Sequence, residues 1–187
     1  MGVNFQIFKF SNFQIIIIAT TLLISCNSTK PTLSKEEFEK QIKEQETKLF
    51  SSANKIYDTE TAISIVKLYS DFAAAYPEDK GVPDYLYKAG EVAISLKKYT
   101  DAINYLKQVA DNYSDYEKSS YCLFLQAFVY DNHINDDAKA GELYRAFIQK
   151  YPKNPLVKDA EFSIQNLGKS DEQLIREFEA KQKSSTD

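Results

Sequence analysis

One helical pattern recurs three times in this chain and constrains its fold more than any other feature. The stretches "ISIVKLYSDFAAAYPEDK", "YTDAINYLKQVADNYSDYE" and "DDAKAGELYRAFIQKYPKNP" carry matching sets of side chains. The first set is Ile65, Tyr69, Phe72 and Tyr76. The second is Ala102, Leu106, Val109 and Tyr113, and the third is Ala140, Tyr144, Phe147 and Tyr151. Spacings of four, three and four put each set on one face of an α-helix. A breaker follows each tyrosine: Pro77, Ser114 and Pro152. The tyrosines recur after 37 and then 38 residues. A repeat of this length cannot bury its apolar face alone, so neighbouring copies must stack.

Each of these helices has a partner. "PDYLYKAGEVAISLKK" presents Leu86, Ala89, Gly90 and Ala93 on one face. "SSYCLFLQAFVYD" places Leu123, Ala127 and Tyr130 at corresponding positions, and "LVKDAEFSIQNLG" places Ala160, Ile164 and Leu167. The small residues Gly90 and Ala127 allow a neighbouring helix to approach closely. Pro83 and Pro155 suit first helical turns, the latter after an expected Asn154 cap. Ser34 with Glu37, and Ser170 with Gln173, read as capping boxes that open a long charged first helix and a final one. Gly168 reads as a helix terminator. No stretch alternates with period two over a strand's length. The expected fold is all-α: a short solenoid of antiparallel helix pairs over 59–168, preceded by an N-terminal helix over 34–58. A C-terminal capping helix and tail follow over 169–187.

Helix pairs of this length resemble the tetratricopeptide repeat, whose basic period is 34 residues. Gly90, Tyr99, Ala102 and Leu106 sit at that family's small, aromatic, Ala and bulky places. The copy from about 120 to 152 departs from the pattern, because "DNHINDDAKA" inserts several residues between its two helices. The resemblance implies a concave surface, lined mainly by the first helix of each pair, that takes a peptide or a partner helix. Matching positions nominate Tyr87, Glu91 and Ile94 in one repeat and Phe124, Phe128 and Asp131 in the next. The two phenylalanines also admit a plainer role, packing against a neighbouring helix.

Before the repeats, Lys9 and the apolar run Phe13–Ile24 have the layout of a secretory signal peptide over 1–25. The run is about a dozen residues, short of the roughly 20 a membrane-spanning helix needs. Leu23-Ile24-Ser25-Cys26 resembles a bacterial lipobox, which implies acyl chains on Cys26 and a polar lipidated tether over 26–33. Paired chains anchor where one does not, at roughly 0.8 kcal/mol per buried CH₂. Asn27 after the cysteine favours, by the same resemblance, the outer membrane and its periplasmic side. Removal of Lys9 would leave 22 basic against 27 acidic groups, a net charge of −5.

The residues that catalysis needs are not gathered anywhere in the sequence. The single histidine, His133, lies in the polar turn "DNHINDD", where a metal role with Asp131 and Asp136 competes with that of a solvated turn residue. Cys122 sits in an apolar helix, as a small hydrophobe would. There is no phosphate-cradling Gly loop, nucleophile elbow or His-Glu-x-x-His. No basic cluster suggests nucleic acid, and no cofactor is expected. The sequence therefore points to a lipid-anchored, periplasm-facing adaptor that binds an envelope protein or peptide on its repeat surface. It resembles lipoproteins that serve outer-membrane protein assembly or envelope organisation. The alternatives are a division and peptidoglycan coordinator binding a Tol-like partner, and a carbohydrate-binding lipoprotein, which the lack of Trp disfavours.

Overall fold

The computed structural model describes residues 33–51 and 58–184, and the expected signal peptide over 1–25 and Cys26 lie outside the described residues. The described residues are helical and fall within one compact unit, 31–187. Helices α1 (Lys35–Ser51), α2 (Thr59–Ala75), α3 (Val82–Ser95) and α4 (Tyr99–Asn112) follow in order. After them come α5 (Ser119–Val129), continued by a π-turn (Tyr130–Ile134), then α6 (Asp137–Lys150), α7 (Val157–Asn166) and α8 (Asp171–Ser184). From α1 to α7 each helix packs on the next in sequence. This is the neighbour-to-neighbour contact of a short helical solenoid.

The recurring side chains form the core. Ile65, Ala102 and Ala140 are fully buried, as are Tyr69, Leu106 and Tyr144 one turn later, and Phe72, Val109 and Phe147 after them. Burial of each large member contributes roughly 1.5–3 kcal/mol. The tyrosine that ends each set forms the helix C-cap in the same conformation. Its φ and ψ are −132° and 58° at Tyr76, −129° and 58° at Tyr113, and −130° and 57° at Tyr151. Each cap N–H donates to the carbonyl four residues back: Phe72, Val109 and Phe147. Each tyrosine carbonyl then accepts from the third residue beyond, Asp79, Tyr116 or Asn154, whose own carbonyl accepts from Val82, Ser119 or Val157. The same turn is thus built three times and sets the geometry from one helix pair to the next.

Both expected capping boxes form. Ser34 N–H donates to Glu37 Oε2 at 2.8 Å, and Glu37 N–H to Ser34 Oγ at 3.3 Å. Ser170 N–H donates to Gln173 Oε1 at 3.0 Å, and Gln173 N–H to Ser170 Oγ at 3.4 Å. Pro83 lies in the first turn of α3. Pro155 does not open a helix, because α7 begins at Val157. Asn154 Oδ1 instead accepts from Leu156 N–H at 2.9 Å within the turn, a local alternative to capping.

The first helix is part of the packed core. Phe38, Ile42 and Leu49 are buried, and the Phe38 ring meets Phe72 edge-on at 6.0 Å. Glu46 of α1 accepts from Tyr69 OH at 2.8 Å and from Lys88 Nζ at 2.9 Å, so one carboxylate ties α1 to α2 and α3. The residues inserted in the third repeat continue α5 as the π-turn. Asn135 closes it in the left-handed region (φ 59°), and Asp136 N–H donates to Tyr130 O at 3.0 Å.

Candidate partner-binding surface

Helices α3 and α5 position the residues that the sequence nominated. Their small or apolar faces pack inward, Ala89, Gly90 and Ala93 on α3 and Cys122 and Ala127 on α5, which leaves the next positions round each helix at the surface. Tyr87 is nonetheless buried along its ring. Its hydroxyl donates to Glu91 Oε1 at 2.5 Å, and Lys118 Nζ stands 4.4 Å from the ring centroid in a cation–π contact. Burial, then the Glu91 bond, raise the Tyr87 hydroxyl well above the ordinary tyrosine value, so it stays a donor. Glu91 is exposed and Ile94 half-buried. Glu91 lines a cleft of about 390 Å³ with Leu49, Tyr69, Lys88, Val92 and Leu96, between α1, α2 and α3.

The α5 residues divide. Phe124 takes the packing role: its ring centroid is 5.5 Å from both Tyr144 and Phe147 on α6. Phe128 is 38% exposed, while Asp131 is half-buried and accepts from Tyr144 OH at 3.2 Å. Phe128 and Asp131 line a second groove of about 720 Å³ with Asp137, Phe162, Asn166 and Leu174. Burial is the main cause that pushes the Asp131 carboxyl above its usual range, against the Tyr144 hydrogen bond. The six nominated residues therefore do not share one site. Glu91 belongs to the first cleft, Phe128 and Asp131 to the second groove, and Phe124 to the core.

Two residues weighed for chemistry have structural positions. His133 is exposed, yet its ring stacks on Tyr99 at 4.7 Å with planes 4° apart and meets Phe128 edge-on at 5.8 Å. It is thus a packing residue that pins the π-turn onto the start of α4, and more than a solvated turn residue. Among the described residues no three His, Cys, Asp or Glu side chains gather as metal ligands. Cys122 is fully buried, and desolvation pushes its thiol up to about 12, which keeps it protonated and unreactive at neutral pH.

Sequence reasoning missed Asp137, Phe162 and Asn166 in the second groove. Phe162 carried a readable signal. It stands two residues after the buried Ala160, off the apolar face of α7, and is 58% exposed. A phenylalanine on the polar side of an amphipathic helix marks surface that fold alone does not require.

No curated protein matches the chain. Two stretches, residues 84–116 and 121–154, match the family described as Tetratricopeptide repeat. They coincide with α3–α4 and with α5–α6. These two stretches are thus similar to tetratricopeptide repeats, units typical of protein-binding scaffolds, and among the described residues they form the middle of a short helical solenoid.

Proposed function

We propose that this protein is a lipid-anchored adaptor of the bacterial cell envelope, held by acyl chains on Cys26. It faces the periplasm from the outer membrane and binds protein partners through its repeats. The observation that carries the binding half is a pair of surface depressions beside α3 and α5, each mixing apolar side chains with carboxylates, on repeats whose inward faces are fully used for packing. That combination suits a binding module, whose partner supplies the missing apolar cover. The anchoring half is supported by Leu23-Ile24-Ser25-Cys26 after a short apolar run. Service to outer-membrane protein assembly or envelope organisation follows from the resemblance of leader and repeats together. The role is binding, without catalysis.

The test is affinity purification of the full chain from crosslinked, detergent-solubilised membranes, with Cys26→Ala beside it. The proposal expects one envelope protein at near-equal amount with the wild type, loss of that protein with the variant, and radiolabelled palmitate in the wild type alone. Identical fractionation of both forms with no palmitate label would remove the anchor. Absence of any stoichiometric partner would remove the adaptor.

A further inference from the structure

The second groove has walls from three helices and a consistent chemistry. Phe128 on α5 and Phe162 on α7 are 38% and 58% exposed, and half-buried Leu174 of α8 lines the same groove. Single apolar side chains at a surface are ordinary, but two phenylalanines and a leucine converging on one groove are not. Asp131 and Asp137 line it too. Among the described residues Asp131 has Tyr144 OH as its partner, and neither carboxylate forms an ion pair. Gly168, with φ at +74°, lets Asp137 sit close: a side chain there would begin 2.8 Å from Asp137 Oδ2.

The one lysine in the lining, Lys169, is already committed. Its Nζ donates to Glu177 Oε2 at 2.8 Å and to Asn166 Oδ1 at 3.1 Å. Helix ends of both signs reach the groove, the carboxyl ends at Asn166 and Asn135 and the amino ends of α6 and α8 at Asp137 and Ser170, so their partial charges offset and the two carboxylates set its sign. Phe128, Phe162 and Leu174 are thus set among polar lining residues that carry two carboxylates, and no lining cation is left without a partner. A metal ion fits poorly, since no third ligand stands beside the two carboxylates.

We propose that this groove binds a partner-protein segment in which a Lys or Arg side chain lies between apolar or aromatic side chains. The cation pairs with Asp131 and Asp137 while its apolar neighbours cover Phe128, Phe162 and Leu174. The inference rests on the adaptor reading and deepens it, because it locates the contact at the third repeat and α7–α8 and sets the sign of the partner's charge. The chain's own net charge of −4 would steer such a segment inward.

The probe is a fluorescein-labelled synthetic peptide, GSFKLKFSG, titrated by fluorescence anisotropy against the full chain in detergent micelles. GSFELEFSG serves as the control. The basic peptide should bind at least about tenfold more tightly than the acidic one, and rising salt should weaken it. The double variant Asp131→Asn, Asp137→Asn should lose about tenfold or more, and Phe162→Ala should lose binding while its far-UV circular dichroism and Tm stay at wild-type values. A benzophenone in place of one peptide phenylalanine should crosslink within 128–137 or 162–174.

Equal affinity for both peptides, or no change in the double variant, would overturn the charge assignment. Crosslinks confined to 84–96 would overturn the groove while leaving the adaptor reading intact. Failure of the peptide to bind at all would also overturn the groove proposal. The adaptor reading then stands or falls on the membrane co-purification, which does not depend on this peptide.

Discussion

Gly90 shows how one atom sets the spacing between two helices. A Cβ there would lie 2.8 Å from both Cγ and Cδ2 of Leu106, which is fully buried and cannot swing aside. Overpacking of this kind costs typically 1–3 kcal/mol, against about 1 kcal/mol gained when Ala replaces a helical Gly. Gly90→Ala should therefore lower stability, by up to about 2 kcal/mol, in denaturant titration. Gly141→Ala, whose Cβ would meet half-buried Leu167 at 3.0 Å and the tip of Arg145 beyond it, should cost less. Equal effects would show that close approach is not what Gly90 provides. Sequence spacing alone identified Gly90, because the residue falls in a register whose other members are all inward. Asp131 was legible only as a surface position. Its burial depends on Tyr144 from the next helix, which no local pattern reveals. Because burial raises its folded pKa, the native state binds a proton there more tightly than the unfolded chain does. The ionised carboxylate thus subtracts stability at pH 7, and the penalty fades as pH falls through the folded value. Asp131→Asn should give a Tm at pH 7 equal to or above wild type, with the difference closing below the ordinary aspartate value of 3.8. A lower Tm at pH 7 would mean that the carboxylate supports the fold, contrary to the role assigned to it in the groove.

At the scale of elements, the helix faces were readable and their connections were not. Every member of the three recurring sets up to the tyrosine is buried, since a spacing of four, three and four leaves a helix only one way to face a neighbour. The inserted "DNHINDDAKA" was legible as extra length, but its π-turn rests on the His133–Tyr99 stack, a contact between residues 34 apart in sequence. The first helix is the sharper case. Its apolar residues are sparse in a long, charged sequence, so the sequence alone does not say what they face. The structure turns Phe38, Ile42 and Leu49 inward against the repeats, and Ile42 is 2% exposed. Truncation of a buried Ile to Ala costs roughly 2–5 kcal/mol when the site cannot collapse. Ile42→Ala should therefore lower the unfolding free energy of the whole transition by that amount, read as a lower urea midpoint at an unchanged m-value. A change below about 0.5 kcal/mol, the usual range for a surface position, would show that α1 sits loosely and that its apolar face is free for a partner.

The helices from α1 to α7 are held together by contacts between sequence neighbours, and this makes stability uneven along the solenoid. The larger cluster of buried side chains runs from Phe38 on α1 to Leu125 on α5, whereas the cluster around α6 and α7 has only Ala127, Ala140, Tyr144, Phe147 and Ala160 at its centre. On α7 only Ala160 is fully buried, and on α8 Ile175 stands 57% exposed. In a solenoid, terminal units lack one of the two interfaces that stabilise the interior ones, and they open first. Native-state hydrogen exchange should accordingly show the amides of α8 exchanging fastest, then those of α7, with α3 and α4 protected to nearly the global unfolding free energy. The same gradient bears on function, because the groove of Phe128, Asp131 and Phe162 lies where the less stable end begins. A partner segment that fills it joins α5, α7 and α8 from outside and should slow exchange there selectively. The basic peptide should raise protection in α7 and α8 and leave α2 and α3 unchanged. Protection rising evenly along the chain would point to general stabilisation, and protection confined to α1–α3 would move the binding surface to the cleft beside Glu91.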